Sequence, residues 1–366
     1  MRRLVHLIGP GERAWFRRCR RSWDLGSPNR RNLEPHSGPF DLRKAVRYAL
    51  SVWYFPGMWE WPRAIVLPRA LQAFDEAVAR GQGQGQGETV EQARVMLERY
   101  FAWAPTVDAF SPVRVENDFE ANIPDIRNPG QDLVDGDGRP VRYTDRVQLL
   151  VVDSTDSYWI VEHRLVDDGW ADLEELLLSE PPVTAAWGWE RFYLGLSITG
   201  TVHNELRISA EGPSPGEPGR DQTARHPRSR DFARSRAAAR DPAAAGSPVL
   251  QAEAVVEESG EWFRRTWIRR TRAEVQSVGD RLSAEVLDML DPNLALYPSP
   301  SPEHCAPCYY RAPCLAMNEG ADPAPILTAD YRPREFDRPE EGRLGGGSWS
   351  MNRGAAPPPQ WRKPPP

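Results

Sequence analysis

The sequence predicts a mixed α/β (α+β) protein with a central mixed β-sheet flanked by helices. Three observations lead there. The stretches 143–153 (YTDRVQLLVVD) and 158–166 (YWIVEHRLV) are rich in β-branched and aromatic residues and joined by a short turn, the pattern of an antiparallel hairpin. Helical periodicity brackets that hairpin on both sides. The 366 residues are 40% hydrophobic and include 14 Trp, enough apolar mass for a sizeable core.

The elements follow in order. Residues 1–80 read as short helices broken by Pro28, Pro35, Pro39, Pro56, Pro62 and Pro68. GQGQGQG (81–87) is a low-complexity loop. A helix is expected over 89–103, with Val90, Ala93, Leu97 and Tyr100 on one face. Apolar and polar residues alternate over 112–123, which reads as a strand, and VDGDGRP (134–140) as a turn into the hairpin. Residues 170–178 and 183–196 read as helices, 202–208 and 262–270 as strands. Thr271-x-x-Glu274 is a capping box opening a helix to about Met289. The spans divide into an N-terminal helical region (1–110), a core (111–209), an insertion (210–250), a return to the core (251–320) and a tail (335–366). The insertion and the tail are poor in large apolar residues and read as disordered.

No run of apolar residues is long enough for a membrane span, and the apolar stretch near the N-terminus is too short for a signal-peptide core. These features fit a cytoplasmic protein, where clustered cysteines are more often metal ligands than disulfides. Net charge is −6, so overall charge does not indicate a nucleic-acid binder. The cations are nevertheless almost all arginine, with Lys44 and Lys363 the two lysines. Arg17, Arg18, Arg20 and Arg21 form one cluster, readable as solvated charge or as a strip facing DNA phosphates.

Two constellations carry chemistry. Asp145 lies near the start of the first hairpin strand, and Glu162, His163 and Arg164 lie within the second. Two carboxylates at one end of adjacent strands suit Mg²⁺ or Mn²⁺. Glu162 and Arg164 are expected on one sheet face and His163 on the other. The second constellation is Cys305-x2-Cys308-x5-Cys314, which needs a fourth ligand. His304 supplies one for a Zn²⁺ site; Cys19 is the only other cysteine.

Asp145, a sixteen-residue spacer and Glu162-His163-Arg164 resemble the core of the PD-(D/E)XK nuclease superfamily. With Cys19 and the C-terminal triplet added, the order resembles the RecB-like iron–sulfur nucleases (Cas4-like, AddB type) over about residues 14–320. The resemblance implies a restriction-endonuclease-like core and a [4Fe–4S] cluster on Cys19, Cys305, Cys308 and Cys314 that clasps the chain ends together. It implies hydrolysis of DNA phosphodiesters, on single strands or duplex ends, alongside a helicase or recombination partner. The implied site is Asp145 and Glu162 on the ion, with the His163 carbonyl as a further ligand, Arg164 on the phosphate, Tyr193 from the family's Gln-x-x-x-Tyr helix, and Glu116 as an upstream acidic helper. Trp15, Trp23, Tyr309 and Tyr310 read as cluster packing or as base-stacking platforms.

Two positions depart from the family pattern: Arg164 stands for its lysine and Trp189 for its glutamine. Because arginine is effectively never a base, a DNA-binding protein of nuclease descent with weak or absent catalysis is the second reading. A Zn²⁺-stapled interaction protein is the third.

Overall fold

A computed structural model describes residues 5–36, 40–81, 87–167, 169–208, 254–259 and 262–334. The expected insertion at 210–250, the expected tail at 335–366 and most of the GQGQGQG loop lie outside the described residues.

A seven-stranded mixed sheet organises the molecule, with helices on both faces. Chain order is β1 (His6–Ile8), α1 (Pro10–Arg18), α2 (Arg20–Gly26), β2 (Leu33–Pro35), α3 (Leu42–Trp53), α4 (Arg63–Arg80), α5 (Gly87–Val107), β3 (Phe110–Asn122), β4 (Val141–Asp153) and β5 (Tyr158–Val166). Then come α6 (Leu173–Leu178), α7 (Glu180–Phe192), β6 (Ile198–Arg207), β7 (Ala254–Ser259), β8 (Phe263–Arg269), α8 (Arg272–Leu290), α9 (Pro302–Cys305), α10 (Arg311–Asn318), α11 (Ala324–Asp330) and β9 (Tyr331–Pro333).

The strands run β1-β4-β5-β6-β8-β7, with β3 on the other edge of β4. The β4–β5 hairpin is antiparallel, while β5 and β6 are parallel. A parallel pair needs a crossover, and α6 and α7 provide it. One apolar core lies between the sheet and α3, α4 and α5, built on Trp53, Phe74, Leu97, Tyr100, Leu149 and Val161. A second lies on the opposite face under α1, α7 and α8, built on Phe16, Tyr143, Ile160, Trp187, Trp189 and Leu282. Helices α7 and α8 approach closely at Gly279, where a Cβ would collide with the Trp187 indole.

Several local expectations hold. The Thr271–Glu274 capping box forms with both reciprocal hydrogen bonds. Strands β3, β4, β5, β6 and β8 fall on the five strand-like stretches. Pro68 does not break its helix: it sits six residues into α4, where its missing N–H releases only the carbonyl of exposed Ala64. Helix α5 continues through Pro105 to Val107. Strands β1, β2 and β9, three residues each, were not expected from the sequence.

Candidate active site

Strand β4 shares one edge between two partners. β5 pairs with it from Val152 back to Leu149, and β1 pairs with it over Val141 to Tyr143. Between them, residues 144–148 have no strand neighbour on that edge, and the sheet forks. Asp145 lies in the fork. β5 runs on past its last pairing with β4, at Val161, carrying Glu162, His163 and Arg164 away from β4. The Gln148 side chain bridges the opening, its Oε1 accepting from the His163 N–H at 3.0 Å. In a strand, N–H and C=O of one residue point the same way, so the His163 carbonyl also faces the fork.

A backbone irregularity places Asp145. Leu150 and Ile160 face the second core, so strict alternation along β4 would turn Asp145 to the first. Tyr143 and Val147 instead belong to the second core, while Leu149 belongs to the first. The alternation therefore slips at Gln148. Opposite Gln148, Glu116 of β3 has φ 45°, a left-handed conformation rare for a non-glycine residue in a strand. The slip brings Asp145 onto the face that carries Glu162. The Tyr143 hydroxyl donates to Asp145 Oδ2 at 2.8 Å and the Arg146 N–H to Oδ1 at 2.7 Å.

Both carboxyls titrate above their ordinary range. Burial raises Asp145, against the Arg146 N–H, the Tyr143 hydroxyl, Arg47 and Arg13. Burial also raises Glu162; Arg164 opposes it and the nearby Asp145 charge adds to it. Glu162 Oε2 is buried without a hydrogen-bond partner, and so is His203 Nδ1, 3.7 Å away on β6. Burial, with Arg270, Arg164 and Arg264 nearby, pushes His203 down to about 3, so it is neutral.

His163 turns to the other face, as expected. It accepts from the Asn204 side-chain amide at 2.8 Å and stacks on Tyr54. Burial and then Arg265 push it down to about 3, so its imidazole is neutral and walled off from the fork.

Other expected site residues lie elsewhere. Tyr193 does not join the carboxylates. It caps the C-terminus of α7, and its ring meets Trp189 at 5.6 Å and Phe192 at 6.1 Å. Glu116 is not an acidic helper in the fork: Arg47 of α3 holds it at 2.8 and 3.1 Å, and Arg146 stands 3.7 Å away. Arg164 shares the Glu162 face and reaches Glu175 at 3.4 Å.

The arginine cluster is not a free phosphate strip. Arg17 is bonded to Glu285 and Glu180, Arg20 stacks on Phe16 at 3.9 Å, and Arg21 donates to Asn318 Oδ1 and lies 3.3 Å from Cys314 Sγ. Arg17, Arg20 and Arg21 are engaged because α1 and α2 are wedged between α7, α8 and the cysteine segment; Arg18 Nε is buried without a hydrogen-bond partner. Arg47 and His203 were missed by the sequence reading. Each comes from an element outside the hairpin in sequence, and nothing local marks it.

The four cysteines come from the two ends of the described chain. Cys19 lies between α1 and α2, and Cys308 feels both Cys19 and Cys314 electrostatically. Burial would raise the Cys19 thiol, but the N–H groups of Ser22, Ser299 and Arg21 outweigh it and lower the pKa. All four thiols are free and half-buried. Around them, Arg18 Nε, Arg20 Nη1 and His304 Nδ1 are buried without hydrogen-bond partners. Unpartnered arginine N–H groups beside Cys19 and Cys308 fit an anionic thiolate-bound group. Among the described residues, no three His, Cys, Asp or Glu side chains stand close enough to hold a bare metal ion. In the fork, two carboxylates and an open carbonyl fit an ion that keeps most of its waters.

No helix among the described residues is long and apolar enough to cross a membrane. No protein-family model matches the chain, and no curated protein matches it.

Proposed function

We propose that the chain is a metal-dependent DNA nuclease of the PD-(D/E)XK type, similar to the RecB-like iron–sulfur nucleases, with a [4Fe–4S] cluster on Cys19, Cys305, Cys308 and Cys314 clasping its ends. One observation carries this reading: the slip in β4 puts Asp145 and Glu162 on one face of an open strand fork, where burial raises both carboxyls and the Asp145 charge adds to the rise at Glu162. Two carboxylates that repel each other across a buried gap favour a divalent cation between them.

Bound there, Mg²⁺ or Mn²⁺ would supply Lewis-acid stabilisation of the scissile phosphate. Asp145 and Glu162 hold the ion, and the His163 carbonyl opens onto the same gap. Tyr143 fixes the Asp145 carboxylate through its 2.8 Å hydrogen bond. Arg164 and Arg47 act electrostatically on the pair and would stabilise charge on the phosphoryl oxygens. Neither acts as a base.

The replaced lysine, the buried Trp189 and Tyr193 stacked on it favour a second reading, a DNA-binding protein of nuclease descent. Purified protein is to be offered labelled single-stranded and duplex DNA with Mg²⁺ or Mn²⁺, alongside Glu162→Gln. Cleavage lost in Glu162→Gln supports the nuclease; retained binding with no cleavage by either protein supports the second reading. Iron and zinc analysis tests the clasp. Zinc without iron replaces the cluster with a Zn²⁺ staple.

A further inference from the structure

On the Glu162 face, a line of buried polar groups runs inward from the carboxylate. Arg270 Nε has a single N–H and donates it to Thr201 Oγ1 at 3.1 Å. Thr201 is fully buried, and its own O–H needs an acceptor. His203 Nε2 stands 3.5 Å from Thr201 Oγ1. If Nε2 accepts, the imidazole proton sits on Nδ1. That atom has no hydrogen-bond partner and faces Glu162 Oε2, also unpartnered, at 3.7 Å. The opposite tautomer would set a lone pair against a carboxylate. Two separate considerations, the Thr201 proton and the Glu162 charge, thus select the same arrangement. Register supports it, because Glu162 and His203 are direct partners in the parallel β5–β6 ladder.

We infer that Arg270, Thr201 and His203 form a buried donor relay that orients Glu162, with His203 as the positioning residue. The inference rests on the reading of Glu162 as a metal ligand. All donors in the line point toward Glu162. Oε2 is drawn to the His203 side, leaving the other oxygen for the fork. The 3.7 Å gap is longer than a formed hydrogen bond, and such contacts are often long before a site is filled. The far end of the line is anchored, since Arg270 also donates to the Leu177 and Leu176 carbonyls at 2.9 Å each.

Nitrogen-15 NMR of the imidazole in the full-length protein reads the tautomer directly, whether or not a metal binds. A protonated Nδ1 with an accepting Nε2 is expected, and a mixture or reversal in Thr201→Val. A protonated Nε2 in the wild type overturns the relay. Mn²⁺ binding, followed by the paramagnetic signal of the free ion, reads its purpose. His203→Leu is expected to weaken Mn²⁺ about 10-fold or more, with recovery in His203→Asn, whose amide can donate in place of Nδ1. If Glu162→Gln loses Mn²⁺ while folded His203→Leu binds it like the wild type, the relay is wrong and the nuclease reading stands. If the wild type binds no Mn²⁺, the nuclease reading fails and the tautomer alone decides whether the relay exists.

Discussion

One residue apart on β5, two side chains meet opposite surroundings. His163 faces the first core, where Asn204 donates to it and in turn reaches the Tyr100 hydroxyl. Tyr100 bonds Tyr54, Arg265 reaches both hydroxyls, and Arg265 closes on Asp108 at 2.8 Å. Glu162 faces the second core, where a carboxylate oxygen and an imidazole nitrogen confront each other unpaired. Burial is comparable on the two sides, but every side chain of the first network makes a hydrogen bond, with Asp108 Oδ2 the atom left over, whereas Glu162 Oε2 and His203 Nδ1 face each other without one. Buried polar groups that find partners among themselves serve the fold; buried groups left without them point to something the chain does not supply.

The largest expected effect tests the satisfied side. Arg265→Met leaves Asp108 buried without its cation and should cost about 3–5 kcal/mol, read as a shift in the urea midpoint. An unchanged midpoint would break the comparison. On the other side, Glu162→Gln should weaken Mn²⁺ binding at least about 100-fold, the upper end of what outer partners cost, without that loss of stability. Burial raises the folded-state pKa of Glu162 above its ordinary value of 4.5. Its ionisation therefore opposes folding above the unfolded pKa, and the penalty vanishes below it, where both states are protonated. Without added divalent metal, Glu162→Gln should unfold at higher temperature than the wild type at neutral pH, and the two should converge below pH ~4.

Tyr143→Phe removes a donor from Asp145 and should cost about 10-fold in Mn²⁺ affinity with roughly 1 kcal/mol of stability. The smallest effect is expected for glycine at the strained residue. Glu116→Gly suits φ 45° and should leave stability within about 1 kcal/mol, because relieved strain offsets the lost Arg47 pair. Glu116→Val should cost about 1–3 kcal/mol and weaken Mn²⁺, because a β-branched residue resists that backbone. Equal behaviour of the two variants would detach the backbone slip from the site.

How far the sequence could be read depends on how local each signal was. Alternation within nine residues of β5 was enough to separate Glu162 and Arg164 from His163, and the capping box at Thr271 was visible in four letters. The slip at Gln148 was not legible, because no residue type there favours a left-handed strand position. Asp145 reached the correct face by a route that simple alternation would have denied it. His203 and Arg47 gave no local signal: each becomes informative only when β6 and α3 are folded against the hairpin. The arginines around Cys19 misled because composition shows charge without showing what each meets in the fold: Glu180 and Glu285 for Arg17, Phe16 for Arg20, Asn318 for Arg21.

The short β2–β9 pairing sets Leu33 against Pro333, 300 positions along the chain. At a synthesis rate of about 5–20 residues per second, the second strand follows the first by roughly 15–60 s. Throughout that interval α2 and Cys19 are out on the nascent chain with their C-terminal partners still unmade. Closure of the β2–β9 pair therefore trails the N-terminal helices by that interval, and they must wait exposed, open to capture by chaperones or to oxidation, until it comes.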